Sequence, residues 1–183
     1  MRIMQFKKYY LLLLPFLLLS TLGCKKILNL ITFQVSDSSS FTVPGTPFIT
    51  GATLNFPVLT VRTTAQNTYQ NNKTSAAYVQ DVTLDALTLT VTNPSTQNFD
   101  FLKSINIYIS TDAAGSNKML LASLASVPTG QTSISLTPAG GKLDLYLKND
   151  TYTLTTTAEL AQTLRQNTDV RADSRFNVRA TLP

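Results

Sequence analysis

The chain has 183 residues, a formal net charge of +5, one cysteine, no histidine and no tryptophan. Without histidine no Ser-His or Cys-His nucleophilic pair can be built, and zinc would have to be held by carboxylates. The positive charge sits mainly at the start of the chain, so it does not describe a nucleic-acid surface.

In chain order, the first segment is "MRIMQFKK", with Arg2, Lys7 and Lys8 and no acid, followed by "YYLLLLPFLLLSTLG". The apolar core from Leu11 to Leu19 is shorter than the ~20 residues a spanning helix needs. A basic start, a short apolar middle and a small-residue end describe a secretory signal peptide over residues 1–23. Removing Arg2, Lys7 and Lys8 from the 15 basic residues leaves 12 against 10 acidic ones. Two of those 12, Lys25 and Lys26, follow the cysteine directly, so the rest of the chain is balanced.

"STLGC" ends the leader, and its Gly23-Cys24 step resembles the cleavage end of bacterial lipoprotein signal peptides. Thr21 stands where those signals usually carry an aliphatic residue. The resemblance implies that Cys24 becomes the first residue, with a diacylglycerol on its sulfur and an acyl chain on its amine. Each buried CH₂ contributes about 0.8 kcal/mol, so two or three chains hold stably where one does not. An ordinary secreted protein with an isolated cysteine, or an uncleaved anchor, is the alternative. Residues 24–30 form a short tether in which Lys25 and Lys26 meet lipid headgroups. Lys25 is not the aspartate of inner-membrane retention, and no acidic run of the surface-export kind follows it. The expected address is the outer membrane, facing the periplasm.

Residues 31–183 read as one all-β domain, and threonine, valine, isoleucine and tyrosine suit a pleated, half-buried surface. "ITFQV", "SSFTV" and "LNFPVLTV" are short strands, with Pro57 marking an edge. "KTSAAYVQ" is a turn or short helix with Thr74 as its cap. In "DVTLDALTLTV", Val82 and Leu84 alternate on one parity and Leu87, Leu89 and Val91 on the other, which calls for a bulge near Asp85 and Ala86. "SINIYIS" sets Ile105, Ile107 and Ile109 against Tyr108. "TYTLTTT" sets Tyr152 and Leu154 against Thr151, Thr153 and Thr155. "AELAQTLRQ" is the second helical candidate, with Leu160 and Leu164 four apart. "SRFNVRATL" puts Phe176, Val178, Ala180 and Leu182 on one face. Turn clusters such as "NPSTQN", "TDAAGSN", "VPTGQ", "TPAGG" and "LKND" separate these runs, as in an antiparallel immunoglobulin-like β-sandwich. With Cys24 acylated, no disulfide contributes.

The strand, Asn-Pro turn and strand in "LTLTVTNPSTQNFDFLKSINIYIS" is similar to the late-embryogenesis-abundant type 2 domain, an immunoglobulin-like sandwich. With "LYLKNDTYTL" and "FNVRATL", the chain from about residue 70 resembles small lipoproteins of Bacteroidota-type bacteria without an assigned activity. That resemblance implies the sandwich and the anchor, and no catalytic residue.

The remaining chemistry is sparse. "PAGGK" lacks the upstream glycine and the following Ser/Thr of a phosphate loop. Asp169, Arg171, Asp173 and Arg175 share one strand face, where opposite charges two apart neutralise each other on a solvated surface. Asp81 and Asp85 form a candidate calcium rim without the Asp-rich loop such sites use. Tyr108 and Tyr146, the latter opposite Leu143, Leu145 and Leu147, are candidate platforms for a sugar ring, or simply cross-strand packing residues. The sequence reads as a non-enzymatic, lipid-anchored envelope module that contacts a protein or glycan partner. A carbohydrate-binding accessory lipoprotein is the alternative. No metal and no cofactor is implied.

Overall fold

A computed structural model of the chain describes residues 30–45 and 52–183. The fold is an all-β antiparallel sandwich, as expected. Its strands are β1 (Leu30–Val43), β2 (Thr53–Asn55), β3 (Leu59–Arg62), β4 (Val79–Asn93), β5 (Leu102–Ser110), β6 (Met119–Leu124), β7 (Ser133–Pro138), β8 (Thr151–Leu160) and β9 (Thr168–Thr181). Two short α-helices, α1 (Ala65–Asn71) and α2 (Asp144–Leu147), and two 3₁₀ turns, Ala76–Tyr78 and Phe99–Phe101, complete the described residues. The first sheet runs β1-β9-β4-β7. The second runs β6-β5-β8, with β2 and β3 in line along the far side of β8. Strand β7 joins them, pairing Ile134 and Leu136 with Leu89 and Leu87 in the first sheet, then Thr137 and Pro138 with Ser123 and Ala122 in the second. This continuity curls the sheets around one core.

Alternation decides what each strand buries. On β9 the inward set is Val170, Ala172, Ser174, Phe176, Val178 and Ala180, all buried. Withdrawing a valine or phenylalanine side chain from water contributes roughly 1.5–3 kcal/mol before ordering costs. Ile105, Ile107 and Ile109 of β5 are likewise buried. On β4 the phase change is resolved where expected. Leu84 pairs with Phe176 and Ala86 with Arg175, so Asp85 is the extra residue and Leu87 and Leu89 return to the core. Pro57 lies in the break between β2 and β3 on the edge of the second sheet. Its missing N–H costs nothing there, and the neighbouring Phe56 N–H donates to the Thr156 carbonyl at 3.0 Å.

The long strands of the first sheet are covered in two ways. Over one half the second sheet lies on them, where Phe41 and Ala172 meet Leu59, Ile107 and Leu154 around a gap of only about 10 Å³. Toward the other end, the base, the cover is helical. Tyr69 of α1 packs edge-on against Phe33, centroids 5.9 Å apart, and its hydroxyl donates to the Leu147 carbonyl at 3.1 Å. Segment α2 is held to β4 by two bonds of 2.8 Å: the Leu143 N–H donates to the Val82 carbonyl, and the Val82 N–H to Asp144 Oδ1.

The structure differs from the sequence expectation at four places. "ITFQV" and "SSFTV" belong to one strand of 14 residues, because β9 pairs with β1 along its whole length. Thr74 caps no helix. It is buried, and its hydroxyl donates to the Thr181 carbonyl at 2.8 Å. "AELAQTLRQ" is not helical: β8 claims it through Leu160, and Leu164 turns into the core in the crossing to β9. The alternation of Leu143, Leu145 and Leu147 against Tyr146 is a helical turn, which buries Leu143, Tyr146 and Leu147 together.

Candidate functional site

The outer face of the first sheet is the most organised polar surface among the described residues. Strand β9 runs through its middle and turns Asp169, Arg171, Asp173, Arg175, Asn177 and Arg179 outward, since the alternate residues are committed to the core. Register places Ser36, Ser38 and Ser40 of β1 opposite Arg175, Asp173 and Arg171. On the other side stand Ala86, Thr88 and Thr90 of β4, and beyond them Ser135 and Ser133 of β7.

Nearly every charge on this face has a partner. Arg179 Nη2 lies 3.0 Å from Asp81 Oδ2, Arg175 Nε 2.5 Å from Asp85 Oδ2, and Arg171 Nε 2.8 Å from Asp173 Oδ2. Hydroxyls extend the network: Ser38 donates to Asp173 Oδ1 at 2.7 Å and Thr42 to Asp169 Oδ1 at 2.6 Å. The Asn177 amide bridges two strands, donating to Asp85 Oδ1 at 3.2 Å and accepting from Gln34 Nε2 at 3.0 Å. The expected solvated, self-neutralising surface is thus present, and the two carboxylates of the candidate calcium rim each lie against an arginine.

Beside the β4 bulge this face sinks into a shallow depression of about 280 Å³ lined by Ser36, Ser38, Ala86, Thr88, Asp173 and Arg175. Small residues on β1 and β4 leave the space, and the longer Asp173 and Arg175 wall it. The Arg175 guanidinium, hydrogen-bonded to Asp85, holds that carboxyl below the usual carboxylate range, with Asn177 assisting. Partial burial pushes Asp173 up, but its bonds from Ser38 and Arg171 outweigh this and leave it lowered as well. Both groups therefore stay ionised, opposite to the raised carboxyl that a general acid requires. The depression can accept hydrogen bonds from, and donate them to, a polar partner.

The expected site residues are spread apart. Cys24, Lys25 and Lys26 lie outside the described residues. Tyr108 is half-buried on the outer face of the second sheet, opposite Thr155, and Lys118 Nζ sits 4.7 Å from the centre of its ring. Lys118 thus shares one face of this ring through a cation–π contact. Tyr146 is only 3% exposed, so it is not a surface platform at all. Its hydroxyl donates to the Asn117 carbonyl, and burial pushes its pKa up. Both tyrosines thus contact the turn between β5 and β6, Tyr108 through Lys118 and Tyr146 through Asn117.

Asp37 belongs to no motif in the sequence. Its odd number puts it on the inward parity of β1, and an acid in that register was the available signal. Asp37 is 4% exposed and ties the open side of the sandwich together. It accepts from the Thr64 N–H at 2.7 Å, the Thr64 hydroxyl at 3.1 Å and the Tyr152 hydroxyl at 3.2 Å. The Ser174 hydroxyl, 3.2 Å from that of Tyr152, completes the set. A buried carboxylate is tolerable only with such partners; its role is architectural, joining β1 and β9 to β8 and to the start of α1.

The class that fold and face define is an antiparallel β-sandwich with a polar, ion-paired sheet surface. No protein-family model matches the chain, and no curated protein matches it. Among solved structures the chain is similar to the BFDV capsid protein in its 60-mer, at 8% identity and TM-score 0.45, over 85% of this chain and 95% of that one. It is also similar to the empty head of Turnip Yellow Mosaic Virus, at 10% identity and TM-score 0.27, over 84% of each chain. Desmodium yellow mottle tymovirus gives 10% identity and TM-score 0.26, again over 84% of each chain. At these values the likeness carries no functional argument.

Proposed function

We propose that this chain is a lipid-anchored, non-enzymatic cell-envelope protein whose sandwich acts as a tethered binding or structural module. One observation carries the reading: the sole cysteine, Cys24, ends a basic and apolar leader and stands six residues before the first residue of β1. The order is leader, anchor, then a folded domain with almost no intervening chain. Cys24 holds the acyl chains, Lys25 and Lys26 meet headgroups, and the outer membrane, on its periplasmic side, is the address. The resemblance to small Bacteroidota-type lipoproteins and to the late-embryogenesis-abundant type 2 sandwich belongs to this reading.

The contact surface in this reading is the outer face of the first sheet, which offers a protein partner rows of hydroxyls between ion pairs. The lowered carboxyls of Asp85 and Asp173 support a binding role over acid catalysis. The glycan alternative loses Tyr146 to the core and retains only Tyr108, which shares one ring face with Lys118.

Cells expressing the chain are fed a clickable fatty acid and the protein is recovered. The native chain should carry the label on the peptide that begins at Cys24, whereas Cys24→Ala should be unlabelled and keep its leader. Label retained on the Cys24→Ala variant, or absent from the native chain, overturns the reading.

A further inference from the structure

Among the described residues five large apolar side chains are markedly exposed: Leu30, Val58, Tyr78, Leu145 and Leu182. Three of them lie at the base of the first sheet. Leu30 opens β1 and pairs with Thr181, the residue before Leu182. Val79, the residue after Tyr78, pairs with Ala180. The Thr74 hydroxyl, bonded to the Thr181 carbonyl at 2.8 Å, fixes the loop that leads to Tyr78 against the end of β9. The three side chains therefore crown three adjacent strands and are 52%, 39% and 38% exposed for Leu30, Tyr78 and Leu182. Lys73, exposed and in the left-handed conformation at φ 56°, stands in the same loop.

We infer that the base of the sandwich seats on the bilayer surface, with Leu30, Tyr78 and Leu182 entering the boundary between headgroups and acyl chains. The inference rests on the lipid-anchor reading, because chain length is what commits this end to a membrane. Leu30 is six residues on from Cys24, and six steps of chain reach at most roughly 20 Å when fully extended. A lipid on Cys24 thus holds this end, and not the far end, within contact of the bilayer. The chemistry agrees with an interfacial footing. A tyrosine places its ring at the headgroup level with its hydroxyl in water, two leucines add apolar area, and Lys73 adds a cation that favours anionic lipid. The acid nearest this end on the outer face, Asp81, is neutralised by Arg179. Seating fixes orientation: the strands stand away from the membrane, and the face between β1 and β7 is presented sideways to the periplasmic space.

The absence of tryptophan from the chain makes the test clean, since one introduced tryptophan is the sole such fluorophore. Full-length protein purified from cells is reconstituted into phosphatidylethanolamine–phosphatidylglycerol vesicles with brominated acyl chains. Tyr78→Trp and Leu182→Trp variants should lose fluorescence to the bromines, while Val58→Trp, on the break between β2 and β3, should not. Intact mass on the same preparation reads acylation of Cys24. With acyl chains present and all three reporters equally unquenched, seating is overturned while the anchor stands. With no acyl chain on Cys24, the anchor reading fails by itself. The same vesicles then still decide the seating: quenching confined to the Tyr78 and Leu182 reporters supports it, and none overturns it.

Discussion

The inner face of the first sheet is covered by a second sheet over one half and by two short helices over the other, and the halves are held by different means. In the sheet-covered half the inward residues lie on strands paired along their length, as Ile105, Ile107 and Ile109 of β5 do with Ala158, Thr156 and Leu154 of β8, so backbone ladders fix the neighbours of any one of them. In the helix-covered half the cover is light. Helix α1 has seven residues and no side-chain cap bond, and α2 has four. Helices this short are marginal on their own. They persist because Tyr69, Leu143 and Leu147 are buried against β1 and β4. Global stability should therefore reside in the sheet-covered half, and local opening in the other.

The sharpest break is Ile107→Ala, which enlarges a gap already present between the sheets and should cost about 4 kcal/mol, read as a lower denaturant midpoint for the whole domain. Asp37→Ala comes next. It leaves the Thr64 N–H and the Tyr152 hydroxyl without their acceptor at the junction of the two halves, and a loss of about 3 kcal/mol in denaturant unfolding is expected.

Alkali probes the same junction without a substitution. Burial, with the Asp37 charge next in weight, pushes the Tyr152 hydroxyl far above the ordinary tyrosine range. An unfolded tyrosine ionises near pH 10, so this contribution is intact below that pH. Above it, stability should fall by about 1.4 kcal/mol per pH unit until the folded group itself ionises. Thermal midpoints at rising pH should show this slope in the native chain and a shallower one in Tyr152→Phe.

Within the helix-covered half, Tyr69→Phe strands the Leu147 carbonyl and should cost about 1 kcal/mol. Faster hydrogen exchange should be confined to α1 and α2; acceleration throughout β5 and β8 would erase the distinction between the halves. Smallest is Arg175→Ala on the outer face. It should leave the unfolding midpoint in place while the Asp85 carboxyl, followed by NMR, titrates upward toward its ordinary value.

The same division explains what was legible in the sequence. Period-two alternation in β5 and β9 named Ile105, Ile107, Ile109, Phe176 and Val178 as core residues. The change of parity after Leu84 located the bulge, because a strand that must keep one face buried can change parity only by inserting a residue. The helical cover left no such signal. A four-residue helix and a seven-residue one are too short for a 3.6-residue period to emerge, and Tyr146 within "KLDLYLKND" alternates as a strand would. Of the candidate site, the charge pattern of β9 was readable, since Asp169 to Arg175 fall on one parity. The depression beside it was not: it depends on Ser36, Ser38 and Ala86 being brought alongside from β1 and β4, far apart in the chain.

The antiparallel pairing of β1 with β9, unbroken from Leu30 with Thr181 to Val43 with Thr168, also sets how the domain bears load. A pull entering at Leu30 and resisted by a partner near the far end of the sheet runs along the strands. All fourteen paired positions then share the force in shear. The same pull applied between Leu30 and the end of β9 would peel the ladder one pair at a time, because those two points lie side by side. The sandwich is therefore strong along its length and weak across its base.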